Sequence, residues 1–538
     1  MRKFPAQPDL NSSQPHPTLL PLSQPGRNST PAKHRAAHQN LLRAQQMIRS
    51  GDTQGALRAF ARAIEFEPRF GVLHIQLGQL QHSMGENRAA RTSILRGLRF
   101  RTPGTRIEPA LALLCTESES LEERDEACAY LQHACDHQKL TPAEFRVVGF
   151  GLAVLGDNQR AIHALTQSLV PGPELTPGLE QDATCWTELG ACYLKLRNLM
   201  EGELCLREAI RLDPEHPAAH TNLGMCLLLK GDYLQGFREF EWRLQMDNFF
   251  RIEGFDAPRW QGEPLAGKTI LLHGEQGFGD SIQFLRYIPH VAALGAKVVI
   301  AAQPQVFSIL ASVPGVWRAV ELGTALPPIH YHCPLMSLPA QFATTLQSIP
   351  PVVPIEAREL PLTSTNSLRP LRVGLVWSGN PKHPNDRARS RALREFAPLA
   401  ASNHVTPGGV QFVSLQQGTA AAQLNDPSLP FAVQDACSTA RDFAETAAVI
   451  ASLDLVIAVD TAVAHLAATM LKPVWVLLGS VPEWRWGMEG DKTPWYPNLR
   501  IFRATKPEDW PKVIALAADS LRIASAGFRA LQLQPSPG

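Results

Sequence analysis

Apolar and small residues recur through the first half of the chain with two nested periods. Within each dozen or so residues they fall three and four apart, as on one face of an α-helix. Over a longer span the same set returns every 34 residues. Trp186, Leu189, Gly190, Tyr193, Gly202, Leu206, Ala209 and Pro214 occupy positions 4, 7, 8, 11, 20, 24, 27 and 32 of one unit. Leu223, Gly224, Leu227, Gly236 and Phe240 lie 34 residues beyond their counterparts. Ala44, Met47, Ala56, Phe60, Ala63 and Pro68 fit the same frame, as do Leu77, Gly78, Ala90 and Ile94, and Gly149, Leu152, Ala161 and Leu165 form a weaker copy. The spacing predicts six helix pairs, one degenerate over about 105–140 and one followed by a Pro/Gly-rich insertion near 171–178. Small residues at positions 8, 20 and 27 let paired helices approach. The dipeptides Gly51-Asp52, Gly156-Asp157 and Gly231-Asp232 mark the turns between them, Gly closing one helix and Asp opening the next.

Near residue 250 the pattern changes to strand-length apolar runs alternating with helical stretches, the mark of an α/β fold. Residues 269–272 lead into His273-Gly274-Glu275-Gln276-Gly277-Phe278-Gly279-Asp280 and then a helix carrying Ile282, Phe284, Leu285 and Ile288. A glycine turn from strand to helix lets a ligand approach the backbone and aims N–H groups at it. Gly277 and Gly279 belong to neither a Walker loop nor the dinucleotide GxGxxG. For Asp280 a plain N-cap is the alternative to a chemical role.

After a linker expected at 358–370, a second α/β half opens with the run 371–376. It ends in Trp377-Ser378-Gly379-Asn380-Pro381-Lys382-His383 and a basic run with Arg387, Arg389, Arg391 and Arg394. Such donors suit a phosphate or a sugar, although a charge run by itself reads as a solvated face. Residues 412–415 form another run, ending at Gln416. The run 455–459 then gives way to Asp460-Thr461, a helix from Ala462 that carries His465, a stop at Pro473 and a further run at 474–478. This is one βαβ unit of a parallel sheet. Ligands of such sheets lie outside the carboxyl ends of the strands, where a helix N-terminus favours an anion.

Composition narrows the class. A chain of 538 residues should hold more than one domain. Its net charge of +1 gives no general attraction to nucleic acid or anionic membrane. No apolar run reaches the roughly 18 residues of a membrane span. The first residues lack the apolar core of a secretory signal, so a cytoplasmic protein is expected. Nine cysteines without CxxC pairs or His at zinc spacing read as reduced thiols rather than disulfides or metal ligands. Residues 1–35, rich in Pro, Ser, Gln and Asn, are expected to be a disordered tail.

The 34-residue pattern resembles the tetratricopeptide repeat, whose helix pairs stack into a superhelix with a concave face for a peptide or protein. Shielding or dimerising the next domain is the alternative. The series LRVGLVWSGNPKHPNDRARS, FVSLQQG, DFAETAAVIASLDLVIAVDTAVAHLAATMLKPVWVLLG, WRWG and TPWYPNLRIFR resembles bacterial glycosyltransferases with a tetratricopeptide N-terminus. Their catalytic region is similar to the ADP-heptose:lipopolysaccharide heptosyltransferase family, and the likeness covers about 255–520.

That resemblance implies a tetratricopeptide solenoid over 36–250 followed by a GT-B glycosyltransferase of two Rossmann-like halves, 255–357 and a donor-binding 371–525, with a tail from 526 to 538. It implies that Asp460, Thr461, Ala462 and His465 hold the donor diphosphate, Ala462 standing where the family commonly has Gly. Asp280 becomes the general base. Ser378, Asn380, Arg389 and Gln416 fall near the donor. Trp484, Arg485 and Trp486 could contact the donor or pack in the core. The implied activity is inverting transfer of a hexose- or heptose-type sugar from a nucleotide-sugar to an acceptor hydroxyl. No metal and no cofactor beyond that substrate are expected, since no DxD-like pair lies beside a donor loop. The expected acceptor is a protein on the concave face, flagellin-like or another surface protein, with a lipid-linked saccharide as its rival. A tetratricopeptide scaffold with a degenerate transferase domain is the alternative function, and a sugar-nucleotide epimerase is a more distant one.

Overall fold

The computed structural model describes residues 30–100, 121–137, 140–170, 182–246, 256–275, 277–358, 369–383, 385–400, 409–481 and 483–532. The expected insertion at 171–178 and most of the expected tail at 1–35 and linker at 358–370 fall outside these residues. Both ends carry more helix than composition suggests. The first helix, Pro31–Arg49, opens inside the span expected to be a tail. Thr30 caps it, Pro31 takes the first turn, and Ala37, Leu41 and Ala44 are buried. The last helix, Trp510–Gln532, continues past 526, because Leu521 and Ser525 are buried against its neighbours.

The chain divides into two compact units, Met1–His216 and Pro217–Gly538. In the first, the described residues form four helix pairs, Pro31–Arg49 with Thr53–Phe66, Gly71–Ser83 with Asn87–Arg99, Pro142–Leu155 with Asn158–Ser168 and Ala183–Lys195 with Leu199–Leu212, and one further helix, Leu121–His137. The turns form as the Gly-Asp pairs predict. Gly51 and Gly156 have φ of 80° and 96°, a region that suits glycine. Asp52 then accepts the N–H of Gly55 at 2.7 Å, and Asp157 that of Arg160 at 3.2 Å. Large side chains fill the space beside the small ones: a Cβ on Gly190 would stand 2.7 Å from Leu206 Cγ.

The second unit opens with a fifth pair, Pro217–Leu229 and Tyr233–Phe240, and a short 3-10 turn, Glu241–Gln245. Two wholly parallel sheets follow. The first has the order β3-β2-β1-β4, with β1 at Thr269–His273, β2 at Lys297–Ala302, β3 at Val316–Glu321 and β4 at Tyr331–Pro334. The second runs β10-β9-β8-β5-β6-β7. Here β5 is Leu371–Val376, β6 Val410–Ser414, β7 Val433–Asp435, β8 Leu455–Val459, β9 Val474–Leu478 and β10 Leu499–Arg503. Strands β1 and β8 are buried at every position, which is why both read as unbroken apolar runs. The fold class is the one expected: helical repeats, then two Rossmann-like α/β halves.

Strand order locates the sites. In the first sheet the chain moves from β1 outward to β2 and β3, then returns to β4 on the other side of β1. In the second, β5 lies between β6 and β8, so the order reverses there. Crevices at such reversals are where open α/β sheets take ligands. The glycine turn leaves the end of β1, and the Ser378 and Asp460 loops leave β5 and β8 side by side.

The repeat glycines carry a stability consequence. A Cβ on Gly224 would meet the backbone of its partner helix, 2.6 Å from Phe240 N and 2.9 Å from Gly236 O. Helix propensity favours Ala over Gly by about 1 kcal/mol, but backbone atoms cannot rotate away, and overpacking costs about 1–3 kcal/mol. Gly224→Ala should therefore lower stability despite better helix propensity, as read by chemical denaturation.

Candidate active site

At the end of β8 the backbone stays extended through Thr461, with φ of −147° and ψ of 164°, and then turns into the helix Ala462–Thr469. Thr461 stands at the N-cap without capping the helix through its side chain. Its hydroxyl is buried and makes no hydrogen bond within the chain. A buried, unused hydroxyl beside a helix N-terminus is a place prepared for an acceptor.

Arg389 ends the short helix Asp386–Arg389 after β5, and its Nη1 donates to the carbonyl of Asp460 at 3.1 Å. Its Nε is buried and has no hydrogen-bond partner. The guanidinium lies against Gly379, where a Cβ would come within 2.8 Å of it. Asp386 stands 3.7 Å from that Nε as an ion-pair partner, so Arg389 is anchored beside Thr461 at the β5–β8 reversal.

Across from it, Gly277 starts the helix Phe278–Phe284 and Asp280 sits in its first turn. The Asp280 carboxylate folds back so closely that a Cβ on Gly277 would collide with its Oδ2. The two helices meet at their starts: a Cβ on Gly279 would lie 3.0 Å from His465 Cδ2 and 3.6 Å from the Cα of Ala462. Gly279 is the glycine at which the two helices come into close contact.

Arg485, in the 3-10 turn Trp484–Trp486, joins the two halves beside Asp280. Its Nη2 bonds to Asp280, its Nη1 to Glu483, and its Nε donates to Gln283 at 2.6 Å. The guanidinium also stacks over Trp484 at 4.4 Å. Burial opposes this charge, but Asp280, Glu483 and Asp460 together raise its pKa, so it stays protonated. Glu483 is pushed up to about 7: burial dominates, Arg485 pulls the other way, and Asp460 and Asp280 add to the rise. One of its oxygens makes no hydrogen bond.

Other expected site residues are placed differently. His465 is 4 % exposed, with Nδ1 2.9 Å from the Tyr496 hydroxyl and its ring beside Trp486. Burial, with Arg485 and Arg286 nearby, drives its pKa well below the usual value, so it is a neutral ring and supplies no charge to a phosphate. Gln416, expected near the donor, spends its amide on the backbone. Its Oε1 accepts from the N–H groups of Trp377 and Ser378 at 3.1 and 2.9 Å, and its Nε2 donates to the carbonyls of Ser378 and Gln417. It shapes the loop after β5 and has no group left to offer a ligand. Asn380 is exposed and closes a local turn onto Lys382 N at 3.0 Å. Trp484 and Trp486 are core residues, while Arg485 between them faces the site. Glu483 gave no signal in sequence. Arg485 gave one, as the only polar residue of an otherwise aromatic triplet. Among the described residues no group of three or more His, Cys, Asp or Glu could hold a metal ion, and no helix is long and apolar enough to cross a membrane.

With this geometry in view, a model of glycosyltransferase family 9 (heptosyltransferase) matches residues 414–514, and a tetratricopeptide-repeat model matches 183–216. The chain carries a glycosyltransferase family 9 domain. Its matched span contains Asp460, Thr461, His465, Glu483 and Arg485. Protein FlbA of Caulobacter vibrioides is 25% identical over 521 residues, 88% of this chain and 82% of that protein. Among solved structures, the family 9 glycosyl transferase of Veillonella parvula is 11% identical with a TM-score of 0.36, covering 49% of this chain and 100% of that one. The ADP-heptose lps heptosyltransferase II of E. coli is 15% identical with a TM-score of 0.34, covering 48% and 99%.

The raised pKa of Glu483 makes the glycosyltransferase unit pH-sensitive in a defined direction. The folded chain holds this proton more tightly than the unfolded one. Stability is therefore lost as pH rises from about 4.5 to about 7. Glu483→Gln should raise the melting temperature at about pH 8 and change it little at about pH 4, where the carboxyl is protonated in both states. Calorimetric scans at the two pH values test this, and equal shifts would dismiss the coupling.

Proposed function

We propose that this glycosyltransferase moves a sugar from a nucleotide-sugar to an acceptor hydroxyl with inversion and without a metal ion, and that the acceptor is a protein brought by the repeats. The reading rests on one arrangement. A carboxylate on one half, Asp280, stands where two helices meet at their starts, and on the other half the buried Thr461 hydroxyl, which makes no hydrogen bond, lies beside the Arg389 guanidinium.

In the reaction the acceptor oxygen attacks the anomeric carbon from the face opposite the diphosphate. The bond from that carbon to the diphosphate oxygen breaks as the new one forms, and the hydroxyl proton passes to Asp280. Negative charge grows on the departing diphosphate, where the N–H groups at the start of Ala462–Thr469, the Thr461 hydroxyl and Arg389 receive it. Arg485 aims the Asp280 carboxylate through the bond from Nη2. His465 and Ala462 shape the floor of the donor site by contact. Seven free cysteines among the described residues fit a reducing compartment, hence a cytoplasmic enzyme.

Two measurements test this. Calorimetric titration with UDP-, GDP-, ADP- and CMP-linked sugars should give binding to one nucleotide class. Silence across the panel would leave the repeats as the working part and the chain as a scaffold. With the donor found, Asp280→Asn should lower kcat by about 10²–10⁴-fold, the usual contribution of a general base, while donor affinity holds. Full transfer by that variant would remove Asp280 from the role.

A further inference from the structure

The helix pair Pro217–Leu229 and Tyr233–Phe240 has the spacing of a repeat, yet it packs within the catalytic unit. It is attached to each half by a different kind of contact.

The first attachment is ionic and buried. Arg243, in the turn that follows the pair, grips Glu275 with two bonds, Nε to Oε2 at 3.1 Å and Nη2 to Oε1 at 2.6 Å. The two side chains are 5% and 3% exposed. Nη2 also donates to Ser337 Oγ at 3.0 Å, and Nη1 to Glu241 at 2.7 Å. Glu275 belongs to the glycine turn that carries Asp280. Two parallel bonds to a fork fix both the distance and the plane of a carboxylate, which one point charge does not. The second attachment is aromatic. Trp495 Nε1 donates to the Tyr233 hydroxyl at 3.0 Å, and Phe237 meets Trp484 edge-on at 5.5 Å. Trp484 is the ring on which Arg485 lies.

We infer that Arg243 is a positioning residue for Asp280, acting through Glu275, and that the last repeat is thereby a working part of the catalytic unit. The repeat holds the glycine turn on one side and the Trp484–Trp486 turn on the other, and the bond from Arg485 to Asp280 closes the circuit. Without the fork, the carboxylate of Glu275 is left buried with Asp280 among its neighbouring charges. That carboxylate then either takes up a proton or draws the glycine turn toward solvent or another cation, and in both cases the two-bond grip on the turn is lost. This inference rests on the reading of Asp280 as the base only for its effect on rate, not for its effect on the loop.

The test uses the full chain without ligand. In Arg243→Lys, and separately in Glu275→Gln, amide hydrogen exchange over 269–285 should accelerate by about tenfold or more, while exchange over 455–470 is unchanged. Unchanged exchange in the glycine turn of both variants would overturn the inference. Faster exchange in both segments would also overturn it, since that marks general loosening. With the donor identified above, Glu275→Gln should lower kcat by about 10²-fold, the scale of an ångström's misplacement of a reacting group, at unchanged donor affinity. Asp280→Asn run in parallel separates the failures. If Asp280→Asn is inactive and Glu275→Gln has full kcat, the positioning fails alone. If Asp280→Asn is active, the base assignment fails while the exchange result still decides the role of Arg243.

Discussion

The guanidinium of Arg485 ties the two halves of the catalytic unit together beside Asp280. Each of its nitrogens is engaged, to Asp280, Glu483 and Gln283, and its flat face rests on Trp484. Gln283 and Asp280 come from the first sheet's helix, and Glu483 and Trp484 from the second half. A lysine ammonium is a compact point charge; the planar fork of arginine reaches partners spread around its edge while its face stacks on Trp484. The arrangement also decides which cations are available for a ligand. Arg485 is consumed in orientation, whereas Arg389 keeps a buried N–H without a hydrogen-bond partner. On the proposed reading the nucleotide-sugar is received by Arg389 and the helix at Ala462, while Arg485 serves the alignment of the halves.

How much of this could be read from residues alone depends on the range of the interaction. The Gly-Asp turns were legible because both partners of each capping bond lie within a few residues. The runs of β1 and β8 were legible because burial on both faces leaves no alternation to misread. Asp460-Thr461 and the glycine turn could be found as strand ends, since strand order makes such ends ligand sites in any parallel sheet. What the residues do not reveal is whatever a distant partner sets. Gln416 looks like a free polar group at a strand end, but its amide is fully used by Trp377, Ser378 and Gln417. His465 lies one turn into a helix whose start faces the expected diphosphate. Only the surrounding Trp486, Tyr496 and Gly279 show that it is sealed and neutral. Glu483 carries no local mark, and the fork of Arg243 on Glu275 spans 32 residues and two kinds of structure.

The division of the chain follows the same logic. By spacing, the last helix pair is one more repeat. By contact, its Tyr233 and Phe237 are part of the aromatic core beneath Trp484 and Trp495, and its turn ends in a buried ion pair with the glycine loop. A helix pair whose outer face is apolar requires a neighbour, and the core of the α/β unit supplies it. Repeat sequence and repeat function thus part company at Pro217: the period continues through Phe240, while the packing has already changed its purpose.

That change has a mechanical meaning. Buried ion pairs contribute little net stability compared with apolar residues of the same size, so their presence is better explained by the geometry they impose. Arg243–Glu275 imposes it on the loop that carries Asp280, and Arg485 imposes it on Asp280 itself. The carboxylate is held from behind by the repeat and from the front by the opposite half. Aromatic contacts through Trp484 join the two grips, so that a displacement of the last helix pair reaches the reacting carboxylate by two routes. Both routes are short and both consist of buried, directional contacts. On the proposed reading, the base takes its position from the last helix pair, the one repeat-like pair that packs inside the catalytic unit.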